Sequence, residues 1–214
     1  MGNQTELAYD FIRQRILDGT YRPAQRIIET QLAEAIGVSR NTLKKALLKL
    51  DQENLITIEE NKGATIKSFT LDEVMSYMEI REVLEGFIAK KAAKLISEEK
   101  LVQLEEILEK MIEYGRNNQF DEHTKLNEEF HQIIYTSSGN SQAVEIVRTI
   151  KTQLTRYRFR TLLIPGRSDN SYKEHEHIFE ALKNHDEKLA EEYTKQHVAY
   201  VRQAIKANFN ILFM

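Results

Sequence analysis

The chain has 214 residues with no cysteine, 41% hydrophobic and 29% charged residues, and a formal net charge of −3. The lack of cysteine excludes disulfide scaffolds and thiolate metal centres and makes a reducing cytoplasm the expected setting. No apolar run reaches the length of a membrane span, and the N-terminus lacks the basic and apolar regions of a secretory signal. Two prolines and eight glycines favour long helices over a sandwich or barrel.

In chain order, "TELAYDFIRQRILDGTY" places Leu7, Phe11, Ile12 and Ile16 at helical spacing, and Gly19 ends the pattern. "RPAQRII" turns at Pro23 into a short extended piece. "ETQLAEAIGVSRNTLKKALLKLDQENL" reads as two helices joined at Gly37, with Ser39 as N-cap of the second. "LITIEENKGATIKSF" adds two alternating strands around a turn at Asn61-Lys62-Gly63. A short helix, a glycine turn, a longer helix and a hairpin predict a winged helix-turn-helix over residues 1–69.

The charge of this segment is nearly balanced, with 10 Lys and Arg against 9 Asp and Glu, while the remainder holds 20 against 24. DNA binding therefore depends on clustering. At 100° per residue, Leu43, Leu47 and Leu50 share one side of the second helix. Arg40, Asn41, Lys44 and Lys45 fall largely on the other. From Arg40 to Lys49 there are four cations and no acid. Such a face fits a major groove, with Arg40 or Lys44 reaching guanine edges or phosphates.

The stretches "LAEAIGVSRNTLKKAL" and "GATI" resemble the winged helix of the GntR superfamily of bacterial transcription regulators, from about Leu7 to Lys67. The resemblance implies DNA contacts from Ser39, Arg40, Lys44 and Gly63, with Thr42 a further contact. Two departures stand out. Pro23-Ala24 replaces the family's usual Pro-Gly, and Lys44-Lys45 its usual Arg-Glu. Lys44 cannot form the bidentate fork of Arg, and Lys45 adds phosphate attraction where the family has an acid.

From residue 70 to 214 the chain reads as six amphipathic helices, an all-α bundle. The stretches are "LDEVMSYMEIREVLEGFIAKKAAKLI", "SEEKLVQLEEILEKMIEYGRN" with Ser97 as cap, "FDEHTKLNEEFHQIIYTSS", "SQAVEIVRTIKTQLTRYRFRTLL", "SYKEHEHIFEALKNH" and "DEKLAEEYTKQHVAYVRQAIKANFNIL". Asn127 and His131, one turn apart, flank the apolar arc of Leu126, Phe130, Ile133 and Ile134. His175 lies on the stripe of Ile178 and Leu182, and His197 on that of Ala190, Tyr193, Val201 and Ala204. His177 points elsewhere. Imidazole suits Zn²⁺ and other borderline divalent metals. Spacing alone leaves two readings open, hydrogen-bonded core histidines or a convergent metal site.

"IREVLEGFIAKKAA", "NEEFHQIIYTSSGN", "EHEHIFEAL" and "AEEYTKQHV" resemble the FCD sensor domain of the FadR subfamily, in its six-helix, VanR-like form, over about Leu71 to Asn208. The resemblance implies a divalent metal, Zn²⁺ first with Ni²⁺ or Mn²⁺ as alternatives, at Asn127, His131, His175 and His197. Asn127 stands where the family has Asp, so the site leans on the three imidazoles. Arg81 matches an arginine near the effector cavity of such domains. It suits a carboxylate, or else pairs with Glu85 one turn on. Arg156, Arg158 and Arg160 offer further anion contacts or a solvated surface.

The function so implied is a cytoplasmic, homodimeric transcription regulator, more often a repressor in that family. It would bind two-fold operator DNA and respond to a small effector, expected to be an organic acid. Two alternatives remain at this level. A three-histidine metal site could activate water in a hydrolase, with Glu174 or Glu128 as base. Or the metal could itself be the signal.

Overall fold

The computed structural model describes residues 2–59, 63–154, 161, 164 and 166–212, which form nine helices and three short strands. Contacts divide the chain into two compact units, Met1–Thr70 and Leu71–Met214.

The first unit runs α1 (Gly2–Leu17), β1 (Arg26–Ile27), α2 (Glu29–Ile36), α3 (Arg40–Gln52), β2 (Ile56–Glu59) and β3 (Gly63–Ile66). Helix α1 buries Ala8, Ile12 and Ile16. Leu7, expected on that stripe, is 54% exposed; Ala8 takes the inward position one residue on. Helix α2 stops at Gly37, whose φ of 77° lets its N–H donate back to the carbonyls of Ala33 and Glu34. Ser39 caps α3 as expected, its Oγ accepting the Thr42 N–H at 3.1 Å. Leu43, Ala46, Leu47 and Leu50 then face the core with Ile12, Ile56 and Ile66. Each such fully buried Leu or Ile side chain stabilises by about 1.5–3 kcal/mol over an exposed one.

The hairpin pairs antiparallel from Ile56 with Ile66 to Glu59 with Gly63. Asn61 and Lys62 of the expected turn lie outside the described residues. The extended piece after Pro23 does more than expected. It is β1, pairing antiparallel with β3, so the sheet order is β1-β3-β2. The turn into β1 holds Ala24 at a φ of 61°. Its N–H donates to the Ile66 carbonyl at 3.0 Å, and Gln25 N–H closes the turn onto the Arg22 carbonyl at 3.1 Å.

The described residues of the second unit form the helices α4 (Leu71–Leu95), α5 (Glu98–Arg116), α6 (Phe120–Ser137), α7 (Ser141–Gln153), α8 (Arg167–Lys183) and α9 (Glu187–Leu212). Helix α8 begins at Arg167, four residues ahead of the expected Ser171. Ser97 sits at the N-cap of α5 without a side-chain cap bond. Asn140, not expected as a cap, accepts the Ala143 N–H at 3.1 Å and starts α7. Arg156, Arg158 and Arg160 lie outside the described residues. The long helices α4 and α9 pack side by side at Gly86, where a Cβ would lie 2.6 Å from Lys195 Cγ and 3.1 Å from the Glu191 carbonyl oxygen. Ile88, Leu104, Met111, Phe130, Ile134, Val147, Ile178 and Leu182 fill the core. Their packing holds α4, α6, α8 and α9 around a small polar site.

Candidate functional site

In the first unit, α3 is divided as its periodicity predicts. Arg40, Asn41, Lys44 and Lys45 are exposed, opposite the buried leucines. Among the described residues no ion pair engages Arg40, Lys44 or Lys45. The fourth cation is different. Lys49 Nζ sits 2.7 Å from Glu6 Oε2 and 5.5 Å over the Tyr9 ring. The row of four is therefore a row of three, because α1, distant in sequence, brings an acid to the far end of α3. Ser39 is exposed and Thr42 half-buried, and their hydroxyls bond one another at 2.8 Å. Gly63 opens β3 with a φ of 85° and open space where a Cβ would project.

In the second unit, His131 of α6, His175 of α8 and His197 of α9 come together. They are 4%, 0% and 6% exposed, with one ligand nitrogen from each lying within 4.8 Å of the others. The His131 and His175 Nε2 atoms are 3.3 Å apart. Two outward nitrogens are anchored. His175 Nδ1 lies 2.6 Å from the Ser171 carbonyl oxygen, and His197 Nδ1 lies 2.7 Å from Glu174 Oε2. Since each must donate its Nδ1–H there, each turns an Nε2 lone pair inward. Burial pushes His131 and His175 well below the usual imidazole range, with Lys151 and the neighbouring imidazoles adding to the effect at His131 and His197 at His175. Inward-facing and mutually close, the three imidazoles fit a borderline divalent metal.

Glu174 is fixed in turn by Arg167, whose two terminal nitrogens donate to its two oxygens at 2.9 Å each. A cavity of about 40 Å³ adjoins the histidines, with Arg81, Asn127, His131, Lys151, Arg167 and His197 in its wall. That volume admits an ion and a very small group. Asn127 thus reaches the site from one turn below His131. Arg81 lines this cavity, and its Nε donates to Glu85 Oε1 at 2.7 Å, one turn on along α4. Tyr135 OH donates to the other Glu85 oxygen at 2.7 Å, and Lys151 Nζ donates to Tyr135 Oη at 3.1 Å. Burial works against the Glu85 charge, but Arg81, Lys151 and the Tyr135 hydroxyl outweigh it and hold the carboxyl at about 2. Desolvation brings Lys151 down to about 8. His177 stays exposed beside Tyr193.

Sequence reasoning missed Arg167, Ser171, Tyr135 and Lys151 as parts of the site. His123, one turn before Asn127, is also buried, its Nδ1 without a hydrogen-bond partner among the described residues. Glu174 was read only as a base beside a histidine. Its two oxygens serve Arg167 and His197, which leaves it unsuited to take a proton from water.

The profile "Bacterial regulatory proteins, gntR family" matches residues 4–66, and that of the FCD domain matches residues 76–200. The regulator YdhC of Bacillus subtilis is 28% identical over 190 residues, covering 88% of this chain and 85% of its own length. The transcriptional repressor RspR of Escherichia coli is 24% identical over 198 residues, covering 92% and 87%. The solved structure of McbR/YncC of E. coli superposes with a TM-score of 0.72 at 20% identity over 98% of this chain and 97% of that one. At that identity the likeness is one of fold. These relatives are transcription regulators, not enzymes, and the hydrolase alternative is dropped.

Proposed function

The chain belongs to the GntR family of bacterial regulatory proteins and carries an FCD domain, and from that premise we propose that it represses transcription from a two-fold operator until a small carboxylate reaches the histidine site. RspR is described as a repressor, which supports that sign of control. Helix α3 enters the major groove, Arg40 and Lys44 reading bases or phosphates and Lys45 adding phosphate attraction. Ser39, Thr42 and the Gly63 wing tip complete the contacts. The observation that carries this reading is the exposed row of Arg40, Lys44 and Lys45, unengaged by acids among the described residues.

His131, His175 and His197, with the Asn127 amide, would hold the metal, Zn²⁺ first. When bound, it would supply a positive centre for an anionic effector. Arg81 and Arg167 turn the effector's carboxylate toward it. A homodimer matches a two-fold operator. Ile80, Val83 and Phe87 form an exposed apolar stripe on α4, and Ile146 is exposed on α7, which packs against α4; these are the surface proposed for the pairing. No described helix is long and apolar enough to cross a membrane, and an operator-binding protein works in the cytoplasm.

The test is selection of bound sequences from randomised duplexes, followed by gel-shift titration with and without Zn²⁺ and a panel of carboxylates. Recovery of a two-fold site that is released by one carboxylate supports the proposal. Failure to select any sequence defeats it. Release by metal chelation alone favours the metal-sensor reading.

A further inference from the structure

Resting on the metal reading above, we infer that in this protein the metal and a small carboxylate bind as a linked pair, each raising the affinity of the other, because the described residues bring no anionic ligand of their own to the site.

Among the described residues, the donors that reach the site are three imidazoles and one amide, all without charge as ligands. The two carboxylates beside it are already matched. Glu85 faces Arg81, and Glu174 faces Arg167 through two hydrogen bonds. Each acid with its guanidinium is neutral as a unit. A divalent cation therefore enters a buried space with none of its charge offset among the described residues, and Lys151 on the same wall adds to the positive potential. A buried, uncompensated charge is strongly disfavoured. A small anion beside the metal removes that penalty. The site is also built to take one. Arg167 is 8% exposed, lies in the cavity wall, and its Nε–H is buried with no hydrogen-bond partner among the described residues. A carboxylate oxygen would satisfy that donor. The cavity of about 40 Å³ limits what sits beside the metal to the carboxylate head itself. By linkage, the factor by which the anion tightens the metal equals the factor by which the metal tightens the anion.

The experiment titrates Zn²⁺ into the full chain against a chromophoric chelator, in sodium acetate and in sodium perchlorate at equal ionic strength. The chelator is calibrated in each salt. The same titrations are run on Asn127→Asp, which supplies the missing charge. The expected result is Zn²⁺ affinity about tenfold or more higher in acetate for the natural chain, and an acetate effect below about threefold for the variant. A melting experiment gives a second reading on the natural chain alone. Acetate should raise its melting temperature with Zn²⁺ present and not without it. Equal Zn²⁺ affinity in the two salts overturns the linkage while leaving the metal site standing. No Zn²⁺ bound by either protein in either salt overturns the metal reading and the linkage with it.

Discussion

Glu174 accepts the Nδ1–H of His197 at 2.7 Å while both of its oxygens are held by Arg167 at 2.9 Å. This chain of contacts sets which ring nitrogen of His197 turns inward. Outer partners of this kind are worth about 10–100-fold in metal affinity. Glu174→Gln keeps the shape and removes the charge. Its Zn²⁺ affinity, read by chelator competition, is expected to fall by about that factor, with helix content unchanged. An affinity equal to that of the natural chain would show that His197 needs no such partner.

Arg40→Ala is expected to abolish selective operator binding without lowering thermal stability, because the side chain is exposed and bears no described ion pair. Lys45→Ala should act differently. It should weaken binding to all duplexes alike and reduce the slope of log K against log salt by about 1, one phosphate contact's worth. Gel-shift titrations at several salt concentrations separate the two. A Lys45 variant that changes sequence preference would move that residue from phosphate to base.

The contrast between Lys49 and the other three cations marks how far sequence reading reaches. Which side of α3 faces out follows from its own periodicity, and the core leucines confirm it. That Lys49 is engaged follows from Glu6, 43 residues away, which no local pattern reveals. The histidines teach the same lesson. Each could be placed beside an apolar stripe, but their convergence depends on how α6, α8 and α9 pack around Phe130. Arg167 escaped notice because α8 starts a full turn earlier than its apolar pattern does. Leu7 was misplaced because Ala8, a weaker apolar signal, holds the inward position.

Ala24 occupies a left-handed φ of 61° in the turn before β1. For a residue with a Cβ that region costs roughly 1–2 kcal/mol. Glycine avoids the strain but loses more backbone freedom on folding, by roughly 0.5–1 kcal/mol. Ala24→Gly is therefore expected to stabilise the first unit by about 0.5–1 kcal/mol. Urea unfolding followed by a probe in that unit measures it. A destabilised variant would mean that the methyl group contributes packing that outweighs its strain.

Glu85 is the acid that pairs with Arg81 in the cavity wall. Its side chain is 1% exposed, and that of its partner Arg81 is 8% exposed. Glu85→Gln leaves Arg81 without its counter-charge, and breaking one side of a buried pair costs about 3–5 kcal/mol. The pH dependence has a definite sign. The carboxyl is lowered from 4.5 to about 2 in the folded chain, so the unfolded chain takes up its proton first as the solution is acidified. The stability that Glu85 contributes is complete above pH 4.5 and is lost as pH falls toward 2. The gap between the natural chain and Glu85→Gln should therefore be widest near neutrality and narrow across that window. Urea unfolding at pH 7, 4 and 3 tests it. A gap that stays constant over those points would mean that shape, not charge, is what position 85 contributes. A double change of Arg81 to Met and Glu85 to Leu separates the two further. By removing both charges together it should recover most of the loss, whereas a purely steric role predicts that the two losses add.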